Sequence, residues 1–226
     1  MSIYENIQSV RKRIEGAAKR SGRHPDEIIL VAVTKNQPVT AIKEVIESGI
    51  ADLGENRSQE LLPKHEAIGD AVNWHFIGHL QRNKVKYIIP FVYLVQSVDS
   101  IALAKEIDKR AGAINKVQNI LLEVNVSGEK SKYGFSPDDL VKAVNEMGKL
   151  ENISINGLMT MAPFIDNTEL LRSYFAKMKE LFDNLSRARQ PNLKMRYLSM
   201  GMTNDFEIAI EQGSNMVRIG TAIFSP

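Results

Sequence analysis

From Ile28 onward, short apolar runs alternate with stretches whose apolar residues recur every three to four positions. The runs near 28 to 34, 50 to 54, 74 to 78, 92 to 97, 119 to 126, 153 to 159, 196 to 200 and 215 to 219 predict strands. Between them the helical spacing predicts helices near 39 to 48, 56 to 67, 81 to 89, 100 to 112, 136 to 149, 167 to 188 and 204 to 212. Ahead of the first run, Ser2 and Glu5 form a capping-box pattern, and Ile3, Ile7, Val10, Ile14 and Ala17 share one helical face until Gly22. Ser136-Pro137-Asp138-Asp139 supplies a cap, a first-turn proline and an acidic first turn. Asp99 is the expected cap of the helix after it, and Gly112 its stop.

Strict strand-helix alternation with short connections implies parallel strands joined by helical crossovers. Eight such units in this length predict an α/β fold, a closed (β/α)8 TIM barrel with the first helix as an extra N-terminal element. An open doubly wound sheet is the alternative, and it would advertise a glycine-rich turn if it held a dinucleotide; no G-x-G-x-x-G is present. No long linker, low-complexity tract or heptad repeat divides the chain, so residues 1–226 are read as a single domain.

Composition narrows the partners. With 226 residues, 43% of them hydrophobic, the chain can bury a sizeable core, and a formal net charge of +2 demands neither nucleic acid nor an anionic membrane. The lack of cysteine removes disulfides, thiolate metal sites and a cysteine nucleophile together. The start, Met1-Ser2-Ile3-Tyr4-Glu5-Asn6, lacks the pattern of a signal peptide, and no apolar run reaches membrane-spanning length, so a cytoplasmic location is expected. The N-x-Ser sequons at Asn56, Asn125, Asn152 and Asn184 are then chance matches.

In a barrel the carboxyl ends of the strands share one face, so their polar endings form the candidate site. These are Thr34-Lys35, Gly54-Glu55-Asn56, Gly78-His79, Asn125-Val126-Ser127, Ser199-Met200-Gly201 and Arg218-Ile219-Gly220-Thr221. Lys35 ends a buried run and is read as a buried amine, a good Schiff-base nucleophile when partly desolvated; snorkelling from the strand end is the plainer alternative. Ser199-Met200-Gly201-Met202-Thr203 leads into a helix and Gly220-Thr221 follows the last strand, an arrangement suited to phosphate, although either glycine alone could simply make a turn. Together these features point to capture of an aldehyde bearing a phosphate. Arg218, in an apolar strand, needs an acceptor: a salt bridge to Glu123 or Glu207, or a ligand's ring nitrogen. His75, Ile77 and His79 share a face by period two, but without a clear third ligand the histidines are read as packing or hydrogen-bonding residues, not a metal site. Glu55 could serve as a base, and more commonly such a carboxylate caps the next helix or pairs a lysine. The amphipathic stretch Leu170 to Leu185 is read as a barrel-packing helix.

These residues resemble the pyridoxal phosphate homeostasis proteins, single-domain barrel relatives of alanine racemase. The resemblance runs almost end to end. It rests on Val31-Ala32-Val33-Thr34-Lys35, Gly54-Glu55-Asn56, Trp74-His75-Phe76-Ile77-Gly78-His79-Leu80-Gln81, Gly157-Leu158-Met159, Leu198-Ser199-Met200-Gly201-Met202 and Val217-Arg218-Ile219-Gly220-Thr221-Ala222-Ile223-Phe224. It implies fold type III of the pyridoxal-phosphate proteins and a covalent aldimine between pyridoxal 5'-phosphate and Lys35. It further implies that Ser199, Gly201, Gly220 and Thr221 surround the phosphate, that Met200 and Asn56 lie with the cofactor, and that Arg218 meets the pyridine nitrogen. His79 stands where relatives accept proline, and Ser225-Pro226 replaces a usual glycine and charged tail.

The implied function is to bind and deliver pyridoxal phosphate and to buffer its free concentration. A racemase of the alanine racemase type draws a second acid/base from an additional domain, which is not expected here, and an arginine at the ring nitrogen cannot readily give up its proton. The alternative is a small pyridoxal-phosphate enzyme acting on amino acids, with Tyr133 or His79 as second base; a third class is a cofactor-free Schiff-base aldolase. A monomer is expected, with other B6 vitamers as further ligands and transient contact with apo-enzymes that need the cofactor.

Overall fold

The computed structural model describes residues 2–129, 132–163 and 165–225, so the terminal Met1 and Pro226 lie outside the described residues. The chain opens on α1 (Ile3–Arg20), whose Ser2 and Glu5 close a capping box in both directions. A single 3-10 turn, Pro25–Glu27, leads into the repeating units. These are β1 (Ile29–Val33), α2 (Val39–Glu47), β2 (Asp52–Glu55), α3 (Ser58–Ile68), β3 (Asn73–Phe76), α4 (Val85–Ile88), β4 (Leu94–Val98) and α5 (Ile101–Gly112), followed by β5 (Gln118–Glu123), α6 (Pro137–Met147), β6 (Ile153–Met159), α7 (Thr168–Ser186), β7 (Leu193–Ser199), α8 (Phe206–Glu211), β8 (Met216–Ile219) and α9 (Thr221–Phe224).

The strands pair in sequence order, all parallel, and β1 pairs β8 to close the barrel. The expected (β/α)8 architecture with an extra N-terminal helix is therefore the observed one. Most buried apolar side chains lie in one large cluster containing residues of both strands and helices. A second, small cluster of Val31, Leu94, Leu121, Met159 and Met216 lies among the strands themselves and shares the barrel's interior with polar side chains. Gly157 permits the close approach of β6 to β7: at φ +148 it brings its backbone so near Tyr197 that a Cβ would stand 1.8 Å from the Tyr197 carbonyl oxygen.

Two local expectations are corrected. The helix expected over 81 to 89 is broken into a 3-10 turn, Arg82–Lys84, and the four-residue α4. Asp99 does not cap α5; Ser100 does, accepting the Leu103 N–H, because the Asp99 carboxylate is engaged by His79. Gly112 ends α5 as expected, with Ala113 following it as the C-cap. The predicted start of α6 is observed as read, Ser136 accepting the Asp139 N–H ahead of Pro137. In α7, Leu171, Phe175, Met178 and Leu185 are buried, as a barrel-packing helix requires.

Candidate functional site

β1 stops at Val33, and the next four residues turn, with Gln37 N–H donating to the Thr34 carbonyl at 3.0 Å and Asn36 in the left-handed region at φ 59. The turn lifts Lys35 out of the strand, and its side chain is exposed. The expectation of a buried amine at this position is overturned: the apolar run ends two residues before the lysine. The buried lysine at this end of the barrel is Lys64 of α3, which the sequence reading missed. Its Nζ donates to Glu55 Oε1 at 2.6 Å and to the Thr34 carbonyl at 2.7 Å, while Thr34 Oγ1 donates to the same Glu55 oxygen at 2.6 Å. Helical spacing carried a signal for it, because Ser58, Leu61 and Lys64 form one buried face. Glu55 thus pairs a lysine, as one of its sequence readings held.

Arg218 is buried on β8. Its Nη1 donates to Ser199 Oγ at 2.5 Å and its Nη2 to the Thr160 carbonyl at 2.8 Å. Neither proposed salt-bridge partner touches it among the described residues. Glu207 instead faces outward to Arg13 at 3.0 Å and Arg20 at 4.0 Å, since α8 packs on α1. Glu123 acts on Arg218 only through its charge. Burial lowers the guanidinium to about 10, with Asp205 and Glu123 pulling the other way. Glu123 is raised to about 7 by burial and by Asp99, against the attraction of Arg218.

A cleft of about 510 Å³ opens at the carboxyl ends of β1 and β8, and Lys35, Arg218, Gly220 and Thr221 line it together. Four residues that the sequence reading drew from two distant segments therefore converge. Thr203, the last residue of the segment read as suited to phosphate, lines it as well, and so does Asp205, which the reading missed although it lies only four residues beyond Gly201. The other four expected residues lie outside this lining. Ser199 and Met200 are fully buried, and the Ser199 hydroxyl is committed to Arg218 and Gln96. Gly201, at φ +98, accepts the Arg218 N–H on its carbonyl at 3.0 Å and packs so closely that a Cβ would meet Ala209 and Phe206. Asn56 is half-buried beside Gly78, and its buried Oδ1 has no hydrogen-bond partner.

β3 ends at Phe76, so the period-two relation does not extend to His79. His75 is buried between Asp52 and Gln96, both at 2.9 Å. His79 bonds Asp99 at 2.9 Å and stacks on Tyr133 with ring centroids 3.9 Å apart. Neither His79 nor Tyr133 lines the cleft. Among the described residues no group of three His, Asp or Glu side chains is placed to hold a metal ion, and no helix is long and apolar enough to cross a membrane. Asn125 organises its own loop, accepting from Ser127 and the Gly128 N–H and donating to the Glu129 carbonyl.

Comparison with known proteins adds a family model described as the alanine racemase N-terminal domain, which matches residues 2–226. The chain is 44% identical over 225 residues to the pyridoxal phosphate homeostasis protein of Aquifex aeolicus, covering 99% of this chain and 98% of that one. It is 39% identical to the protein of the same name from Pseudomonas aeruginosa, over 99% of this chain and 95% of the other. The structure of PipY from Synechococcus elongatus with PLP bound superposes with a TM-score of 0.86 at 30% identity, covering 99% of this chain and 100% of that chain.

Proposed function

The chain belongs to the alanine racemase N-terminal-domain family, and from that premise we propose that it holds pyridoxal 5'-phosphate in the cleft at Lys35, delivers it to apo-enzymes and so maintains the cofactor's free level. The observation that carries the reading is the convergence of an exposed amine, a buried guanidinium and the Gly220-Thr221 turn on one cleft. The residues fit the group. Lys35 offers the amine for a Schiff-base link to the aldehyde. Gly220 and Thr221 begin a helical turn whose first N–H groups have no intrahelical acceptor, as an anionic phosphate requires. Arg218 keeps N–H groups beyond the two that bond Ser199 and Thr160, and these are donors for the pyridine nitrogen. The partnerless Oδ1 of Asn56, on the strand end next to Lys35, is the kind of buried acceptor that a ligand completes.

When bound, the cofactor supplies a reactive aldehyde and an electron-withdrawing ring. Arg218 limits the second property, because a guanidinium donates a hydrogen bond to the ring nitrogen without surrendering its proton. Storage and release are therefore the work this cleft favours over carbanion chemistry. The reading includes a single-chain unit acting in the cytoplasm.

The test is borohydride reduction of the protein with pyridoxal phosphate, followed by peptide mass mapping. A pyridoxyl-phosphate adduct on Lys35 that disappears in Lys35→Ala is expected. An adduct that persists at the cleft in that variant, or none in the wild type, removes the assignment.

A further inference from the structure

A chain of buried polar side chains crosses the barrel's interior from the cleft. Arg218 Nη1 donates to Ser199 Oγ at 2.5 Å, and Ser199 Oγ donates to Gln96 Oε1 at 2.6 Å. The Gln96 amide nitrogen lies 2.9 Å from His75 Nδ1, and His75 Nε2 lies 2.9 Å from Asp52 Oδ1. Ser199, Gln96 and His75 are fully buried, whereas Asp52, at the start of β2, is partly exposed at the barrel's opposite end. Five strands contribute one residue each.

The chemistry of the groups fixes the direction of every link. A guanidinium only donates, so Ser199 accepts from it and has its own proton for Gln96 Oε1. The remaining end of Gln96 is then its NH2, which also sits 3.2 Å from Met216 Sδ, a weak acceptor that an amide oxygen would avoid. That NH2 donates to Nδ1 of His75, which therefore carries no proton; the proton is on Nε2 and points to the Asp52 carboxylate. All four hydrogen bonds run one way, from Arg218 to Asp52. A second proton on His75 would set N–H against N–H at Gln96. Apolar side chains fill the neighbouring interior positions, so polarity here is not what the space demands. What the chain adds is orientation: with Thr160 it holds the guanidinium while Arg218 lines the cleft.

We propose that Gln96 and His75 are positioning residues for the cofactor site, fixing the Arg218 guanidinium through Ser199 by a one-way chain of hydrogen bonds. The inference rests on the reading of the cleft as the pyridoxal phosphate site. Long-range proton–nitrogen NMR spectra of the ligand-free protein at neutral pH test the chain itself: His75 with a protonated Nε2 and a bare Nδ1 is expected, and an Nδ1-protonated ring overturns the proposal. Gln96→Glu keeps the acceptor for Ser199 but removes the donor to Nδ1, so it should place a proton on Nδ1; an unchanged ring also overturns it. Pyridoxal phosphate titration of Gln96→Leu tests the consequence. Binding about tenfold weaker, the scale of one charge-assisted hydrogen bond, with a shifted absorption maximum of the bound cofactor and Lys35 still the reduced residue, is expected. Unchanged affinity and spectrum in the folded variant, with only a lower Tm, would assign the chain to stability alone. Where Gln96→Leu does not fold, the isosteric Gln96→Glu carries the test. A wild-type protein that binds no pyridoxal phosphate defeats the functional reading, and the His75 tautomer then still judges the chain.

Discussion

The side chain of Lys64 shows what a single buried ion requires. Its amine and the fully buried Glu55 carboxylate meet at 2.6 Å, with Thr34 donating to the same oxygen. Removing one partner strands the other charge, so Lys64→Met is expected to lower the unfolding free energy by about 3–5 kcal/mol in urea denaturation. The double variant Lys64→Met with Glu55→Gln should lose less than the single one, and an equal or larger loss would show that the pair is not the cause. This pair also marks the limit of what the chain discloses residue by residue. The position of Lys35 at the mouth of the first strand was legible, but its exposure was not, because it depends on a turn with Asn36 at φ 59 that the apolar pattern does not record. The partners of Arg218 were equally hidden. They are a hydroxyl on β7 and a carbonyl after β6, brought to it only when β6, β7 and β8 pair side by side.

Among elements, strands were the most legible because each buries a short apolar run, and the eight expected segments overlap the eight observed ones. Helices with their own caps were nearly as clear. Ser136 accepts the Asp139 N–H at 3.1 Å, and Ser136→Ala is expected to cost about 1 kcal/mol, read as a lower denaturation midpoint at unchanged slope. A change below a few tenths would mean that Pro137 and the acidic first turn suffice. The segment from Gln81 to Ile88 was misread as continuous because amphipathic spacing does not distinguish an α-helix from a 3-10 turn followed by one α turn. Asp99 and Ser100 were both eligible caps, and the choice fell to Ser100 through a histidine twenty residues away in sequence.

At the scale of the whole molecule, stability should depend on pH through the carboxylates around Arg218. Glu123, raised by burial and Asp99 to about 7 from an ordinary 4.5, holds its proton more tightly folded than unfolded. Its contribution is full below about 4.5, declines as pH rises and is gone above about 7. Asp205, raised by burial, acts in the same direction. Glu60, lowered chiefly by the Asn36 N–H, loses its contribution only as pH falls below 4.5. The wild-type urea midpoint is therefore expected to fall between about pH 5 and about pH 7.5, and Glu123→Gln to flatten that slope; an identical slope in the variant would place its origin elsewhere. The closure of the barrel has a further consequence. β1 and β8 meet from Ile29 with Met216 to Ala32 with Ile219, and α1 is tied across this seam by Asn6 to Ile223 and by Arg13 and Arg20 to α8. Lys35 stands on one bank of the seam and Arg218, Gly220 and Thr221 on the other. A chain leaving the ribosome exposes its lysine long before the residues of its cradle are made, and the cleft exists only once β8 has joined β1. A ligand that needs both banks draws newly made chains to completion by mass action, and its bound colour reports that the ring has shut.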